Sequence, residues 1–286
     1  MDHETWTESQ SRTTVSVDGH DLPVAYYEAD ADIEGPPVVF LHGIPTWSFL
    51  FREIVPALAG ERHVIAPDLL GYGNSTQADG FDRSIRAQES MLGALLTELV
   101  PDADGVDLVG HDIGGGVALR YAWHHPDVVD RLVLSNAACF DSWPVEFINS
   151  LGLPGTPKER NLSDLEDDLE YVFGDGVYAD EVDPEFISGM KAPWLDAEGE
   201  VSITRCAVAT NTNHTTEIDY DAIVAETLLL WGADDVLQPI DQAHRLADAI
   251  SGRATIEGLD RAYHWVTEDR PAAYREHLRE FLLAAD

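Results

Sequence analysis

A carboxylate stands where a strand-to-helix turn normally carries a catalytic hydroxyl. The run Gly110-His111-Asp112-Ile113-Gly114-Gly115-Gly116 has the G-x-S-x-G spacing of a nucleophile elbow, with Asp112 at the serine position. An aspartate there is ionised near neutral pH without an assisting base, so it can attack by itself. Attack on a saturated carbon would leave an ester on Asp112, and a second step must hydrolyse that ester. The bland reading is a serine that decayed to aspartate in a non-catalytic, ligand-binding relative. Retention of three further motifs weighs against it.

The first is His42-Gly43-Ile44-Pro45, directly after an apolar run. In an architecture of this kind that loop faces the elbow, and the Ile44 and Ile113 backbone N–H groups can form an oxyanion hole. The second is Trp231-Gly232-Ala233-Asp234-Asp235. Its acid can orient a histidine; Asp235 is the expected orienter and Asp234 the alternative. The third is His264 in Tyr263-His264-Trp265-Val266-Thr267-Glu268-Asp269. The chain order nucleophile, acid, histidine is the order such an elbow uses. His111 reads as packing at the elbow rather than as a catalytic group. His124 and His125 precede Pro126 at a helix end, where the dipole favours them. Asn211, Asn213 and His214 read as loop hydrogen-bonding residues. No His/Cys/carboxylate spacing suits a metal, and no cofactor is expected.

These residues need a scaffold. Residues 13–28 read as a hairpin turning at Asp18-Gly19. Val38–Leu41, His63–Ala66, Val106–Val109, Leu132–Leu134, Thr227–Leu230 and the weaker Ala254–Ile256 read as buried strands. Helices are expected near Ser48–Leu58, over 83–99 and from Ile113 to His125. Strands alternating with helices imply an α/β fold with a mostly parallel central sheet flanked by helices. The rhythm breaks over 138–220, a stretch of aromatics, prolines and the acidic run Asp164–Glu170, itself read as a solvated helix face. The expected domains are a core of 1–137 and 221–286 with an inserted helical cap over 138–220. Such an insertion lies over the carboxyl ends of the strands, where open α/β sheets bind ligands.

Taken together, the chain resembles an α/β hydrolase of the group holding haloalkane dehalogenases and epoxide hydrolases. The resemblance spans nearly the whole length. It is carried by His42 to Trp47, by Asp68-Leu69-Leu70-Gly71-Tyr72-Gly73-Asn74-Ser75, by the Asp112 elbow, by Gly232 to Pro239 and by His264 to Pro271. It implies that Asp112 is the nucleophile, His264 the base that activates water, and Asp235 the acid that orients His264. Two departures bear on the substrate. Haloalkane dehalogenases usually place a tryptophan after the nucleophile, where this chain has Ile113, and many carry an asparagine where it has Ile44. A halide would then need another donor, and Trp47, Trp143 and Trp194 are candidates. Epoxide hydrolases use cap tyrosines to protonate the opening oxygen, for which Tyr171 and Tyr178 are available. Haloalkane-dehalogenase-like hydrolysis is the leading expectation and epoxide hydrolysis the alternative.

Composition limits the partners. The chain has 286 residues with 53 Asp+Glu against 17 Lys+Arg, a formal net charge of -36. That surface repels nucleic acid and anionic membranes. The acids are dispersed along an ordinary core composition, which suits hydration in a halophile's cytoplasm. The expected partners are a small apolar organic substrate and water. Cys139 and Cys206 suggest neither a disulfide framework nor zinc. Met1-Asp2-His3-Glu4-Thr5 lacks the features of a signal peptide, and no run is apolar enough to span a membrane.

Overall fold

The computed structural model describes residues 1–153 and 161–284. Its eight strands are β1 (Ser11–Val17), β2 (His20–Ala29), β3 (Val38–Leu41), β4 (Val64–Pro67), β5 (Val106–His111), β6 (Val129–Ser135), β7 (Glu226–Gly232) and β8 (Ala254–Leu259). They form one sheet in the order β1-β2-β4-β3-β5-β6-β7-β8. The β1–β2 and β2–β4 pairs are antiparallel, and every later pair is parallel.

The apolar runs explain this arrangement. Strands β3, β4 and β5 are buried at every position, as parallel strands covered on both faces must be. The β1–β2 hairpin turns at Asp18 and Gly19, both with positive φ (50° and 82°). A two-residue turn of that kind matches the twist of the flanking strands.

Three helices lie early in the chain: α1 (His3–Ser9), α2 (Ile85–Leu99) and α3 (Ile113–His124). Ser84 caps α2 through its side chain, which accepts from the Ala87 N–H. Between β6 and β7 the described residues form only helical segments, including α4 (Glu146–Leu151), α5 (Leu162–Asp175), α6 (Pro184–Lys191), α7 (Ala197–Val208) and α8 (Asn213–Thr216). Three more follow: α9 (Asp241–Ala249), α10 (Val266–Asp269) and α11 (Pro271–Leu282). The acidic run lies on α5, where Leu165, Leu169 and Phe173 are buried while Asp164, Glu166, Asp167, Asp168 and Glu170 are exposed. Residues 154–160, part of the expected cap and including Lys158, lie outside the described residues.

One reading of the sequence needs correcting. Ser48–Leu58 is not one helix but two 3₁₀ turns, Ser48–Phe51 and Val55–Leu58. Pro56 lacks an N–H and its ring obstructs a preceding helical turn, which breaks the run. Helix α1 is an addition, which the polar start of the chain concealed. Its anchor is Trp6, 1% exposed. The Trp6 ring stacks on Tyr27 with centroids 4.5 Å apart, and its indole N–H donates to Ser48 Oγ at 3.0 Å.

Candidate active site

Asp112 sits between the end of β5 and the start of α3 with φ 51° and ψ -121°. A residue with a Cβ is strained there, by about 1–3 kcal/mol. The turn holds it by hydrogen bonds on both sides. Asp112 N–H donates to Ser135 O (3.2 Å), and Asp112 O accepts from Gly115 N–H (3.0 Å) and Ala138 N–H (2.9 Å). The close approach demands glycine at two neighbouring places. A Cβ on Gly114 would lie 2.1 Å from Leu41 O, and one on Gly43 would lie 2.6 Å from Asp112 Cβ.

The His42-Gly43 loop therefore presses directly on the carboxylate. Ile44 N–H donates to Asp112 Oδ1 at 2.9 Å, and the Ile113 amide donates to the same carboxylate. Both backbone donors expected from the sequence thus converge on Asp112. His42 orients the first of them. Leu69 N–H donates to His42 Nε2 at 2.9 Å, so that nitrogen carries no proton. The proton is on Nδ1 and donates to Gly43 O at 2.8 Å. Burial, slightly offset by that bond, pushes His42 down to about 3, so the ring stays neutral. Thr46 Oγ1 also donates to Gly43 O, at 3.0 Å. With its carbonyl held twice, the Gly43–Ile44 peptide is fixed with its N–H toward Asp112.

The other carboxylate oxygen, Oδ2, lies 3.8 Å from His264 Nε2. Behind that ring, His264 Nδ1 is 2.8 Å from Asp235 Oδ2. Asp234 is elsewhere, accepting from Arg261 N–H at 2.8 Å. The geometry thus selects Asp235 from the pair. Burial alone lowers His264, but the Asp235 charge and hydrogen bond, with the Asp112 charge, outweigh it and leave the imidazole above its usual value. Burial raises the Asp112 carboxyl, opposed by His264 and by the Ile44 and Ile113 amides.

Asn136 is a part of this arrangement that the motifs did not reveal. It is fully buried at the end of β6. Its Nδ2 donates to Asp235 Oδ2 at 2.6 Å and its Oδ1 accepts from Gly232 N–H at 3.1 Å. Leu237 N–H donates to Asp235 Oδ1 at 2.7 Å, so both acid oxygens are bound. The only sequence signal for Asn136 was its place just beyond a buried strand. His111 packs beneath the base, its ring 5.0 Å from that of His264 and its Nδ1 3.2 Å from Ser135 Oγ. Burial holds it well below the usual histidine range, and hence neutral.

A cavity of about 420 Å³ opens onto Asp112, Asp235 and His264. Its remaining walls are mainly apolar, from Ile44, Trp143, Val145, Phe147, Ile148, Val172, Val236, Leu237 and Trp265. Of the three candidate tryptophans only Trp143 is in this wall. Its indole N–H is buried with no hydrogen-bond partner among the described residues. The other two need correction as donors. Trp47 donates to Gly189 O at 2.9 Å and Trp194 to Pro45 O at 2.7 Å, so neither N–H is free, and neither residue lines the cavity. Tyr171 lines it and is 67% exposed, whereas Tyr178 is outside the lining. Tyr178 instead packs on Tyr263, ring centroids 5.1 Å apart. Tyr263 and Gln238 line the cavity too, and no motif singled them out. Asn211, Asn213 and His214 do not reach it. Asn213 N–H donates to Asn211 Oδ1 at 3.0 Å, and Asn211 Nδ2 is 3.4 Å from His214 Nε2. No group of metal-binding side chains occurs among the described residues.

A carboxylate facing an apolar cavity, with Oδ1 bound by the Ile44 amide and Oδ2 facing a histidine–acid pair, can support covalent hydrolysis in two steps. Comparison with known proteins agrees with the scaffold. The model of the alpha/beta hydrolase family matches residues 38–277. The chain is 28% identical over 279 residues to a 2-hydroxy-6-oxo-2,4-heptadienoate hydrolase of Pseudomonas putida, covering 88% of this chain and 91% of that protein. It is 28% identical over 260 residues to a soluble epoxide hydrolase of Corynebacterium sp., covering 83% and 86%. Among solved structures, a haloalkane dehalogenase from Bradyrhizobium elkani superposes with a TM-score of 0.79 at 24% identity, covering 96% and 98%, a likeness of fold.

Proposed function

The chain belongs to the alpha/beta hydrolase family, and within it we propose that this hydrolase works through an alkyl ester on Asp112. The observation that carries this reading is the division of labour at the carboxylate. Oδ1 is bound by the Ile44 amide, while Oδ2 faces His264 Nε2. In the first step Oδ2 attacks a saturated carbon of an apolar substrate. The carbon–oxygen bond forms as the bond to the leaving group breaks, and the leaving group departs with the electron pair. Oδ1 becomes the ester carbonyl oxygen. In the second step neutral His264 takes a proton from water, and the hydroxide adds to the ester carbon. Negative charge develops on Oδ1 beside the Ile44 amide, with the Ile113 amide donating to the same group, and each such donor contributes about 3 kcal/mol. Collapse expels the alkoxide, which takes the proton from His264 and leaves as the alcohol, and the Asp112 carboxyl gives its remaining proton to solvent and returns to the carboxylate. Asp235 orients the imidazole and stabilises its cationic form. No cofactor takes part.

The leading substrate class is the haloalkanes, with Trp143 as the halide's donor. The support is that Trp143 lines the cavity that holds Asp112 and that its buried indole N–H has no hydrogen-bond partner among the described residues. Epoxide hydrolysis is the second reading. Tyr171 in the same wall favours it, as the acid for the opening oxygen. We take residues 138–220 as the cap, because they supply Trp143, Tyr171 and much of the apolar wall. The dispersed acidic composition supports a high-salt cytoplasm as the setting.

The test is intact mass measurement of His264→Gln protein after incubation with haloalkanes and epoxides in multimolar KCl. The expected result is a stable adduct on Asp112 without turnover, since only the second step needs the base. Turnover by this variant with no adduct would overturn the two-step reading. Following halide and diol separately in the parent protein decides the leaving group. Trp143→Phe should lower halide release roughly tenfold or more, about 1.4 kcal/mol. Unchanged release would remove Trp143 as the donor.

A further inference from the structure

The loop that carries His264 is fastened to the helical segment between β6 and β7 at three points. Trp265, the next residue, donates its backbone N–H to Gly176 O at 3.0 Å. Its indole N–H donates to Val172 O at 3.2 Å. The third point is Asp269, whose carboxylate accepts Tyr178 N–H at 2.8 Å and 3.0 Å and Tyr263 N–H at 2.8 Å. The Ala179 amide donates to it as well. One side chain therefore binds the residue just before His264 and the backbone just after α5.

The packing is equally close. A Cβ on Gly176 would lie 2.3 Å from Trp265 Nε1. Phe173 and Phe186 pack on Trp265 with centroids 5.6 Å and 6.4 Å away, and the Trp265 ring lies 4.7 Å from that of His264. Tyr171, Val172, Asp175 and Gly176 of the same helix end also line the cavity. A substrate that presses on this wall presses on the seat of Trp265.

We infer that Asp269 is a positioning residue which, with the Gly176–Trp265 contact, makes segment 171–179, whose Tyr171, Val172, Asp175 and Gly176 line the cavity, and the His264 loop a single unit. The substrate-binding wall then sets the position of the water-activating base. The inference rests on the two-step reading, and the two steps separate it from a general role in folding. Attack on the substrate needs Asp112, which is held by the Ile44 and Ile113 amides on other elements. Ester hydrolysis needs His264. Disturbing the unit should therefore slow the second step and spare the first.

Two variants approach the unit from opposite sides. Asp269→Asn keeps the shape but faces an NH₂ group toward backbone N–H donors. Gly176→Ala forces the helix end away from Trp265. Rapid-quench mass measurement in multimolar KCl follows formation and decay of the Asp112 adduct, and a thermal melt checks the fold. For Asp269→Asn, which lies outside the cavity lining, the expected result is adduct formation within about twofold of the parent and decay slower by roughly tenfold or more, and Gly176→Ala should slow decay by a similar factor. If both decay rates stay within about twofold of the parent, or if formation and decay slow together in Asp269→Asn, Asp269 is structural only and the inference fails. If neither these variants nor His264→Gln ever forms an adduct, the two-step reading fails and takes this inference with it.

Discussion

The two charges at the centre of the site act on each other. His264 is held above the usual histidine value in part by the Asp112 carboxylate, whose Oδ2 is 3.8 Å from His264 Nε2. Alkylation would remove that negative charge. The imidazole should then lose its proton more easily, and the neutral base needed for ester hydrolysis would appear when the ester does. The sign follows from what the second step requires. The base is protonated and idle below its pKa, so ester hydrolysis falls as pH drops through the His264 pKa of the alkylated enzyme, which lies below that of the free enzyme. Asp112→Asn imitates the uncharged ester. The His264 pKa, followed by NMR titration of the ring, should be lower in Asp112→Asn than in the parent protein. An equal or higher value would show that Asp112 does not hold the proton on the base. At this scale much was legible in the sequence, because Asp112, Asp235 and His264 sit in short motifs whose backbone geometry is local. The choice between Trp47, Trp143 and Trp194 was not legible. It depends on Gly189 O and Pro45 O, carbonyls that tertiary packing brings to two of the three indoles.

Elements were readable where periodicity was strong. The buried runs of β3 and β5 carry no polar alternation to confuse them, apart from Asp107, whose charge is met by Arg62 at 2.6 Å. Helix α1 was not readable, since His3-Glu4-Thr5-Trp6-Thr7-Glu8-Ser9 offers one large apolar side chain and no repeat. That residue carries the helix. Trp6 covers Tyr27 and bonds Ser48, while His3 Nδ1 reaches Glu185 of α6 at 2.6 Å. The start of the chain thereby joins the sheet to the helices above it. Trp6→Ala should cost about 3–5 kcal/mol of unfolding free energy, the range for deleting a buried aromatic. Denaturant melts at constant high salt measure it. A loss below about 1 kcal/mol would show that α1 lies on the core without stabilising it.

For the molecule as a whole, charge is the feature with consequences. Cationic side chains are scarce, and several are already committed. Arg52 pairs with Glu268 at 2.6 Å, Arg120 with Glu89 at 2.8 Å and Lys191 with Glu170 at 2.8 Å. These few cations cannot balance 53 acidic residues, so a net charge of -36 remains. In dilute buffer the Debye length is about 30 Å at 0.01 M salt, long enough for carboxylates on different elements to repel each other. At 1 M it is about 3 Å, and only near neighbours interact. Salt also weakens exposed ion pairs, but such pairs contribute about 0–1 kcal/mol each. Relief of repulsion should therefore win, because unfolding lets the charges move apart and is favoured when they are unscreened. The melting temperature followed by circular dichroism should rise steadily along a KCl series from dilute buffer to multimolar salt. Activity on any substrate found should rise over the same range, because the Asp112 site is built by the fold that salt preserves. A melting temperature that is flat or falls with KCl would sink the high-salt inference, leaving the acidic surface as a device for solubility alone.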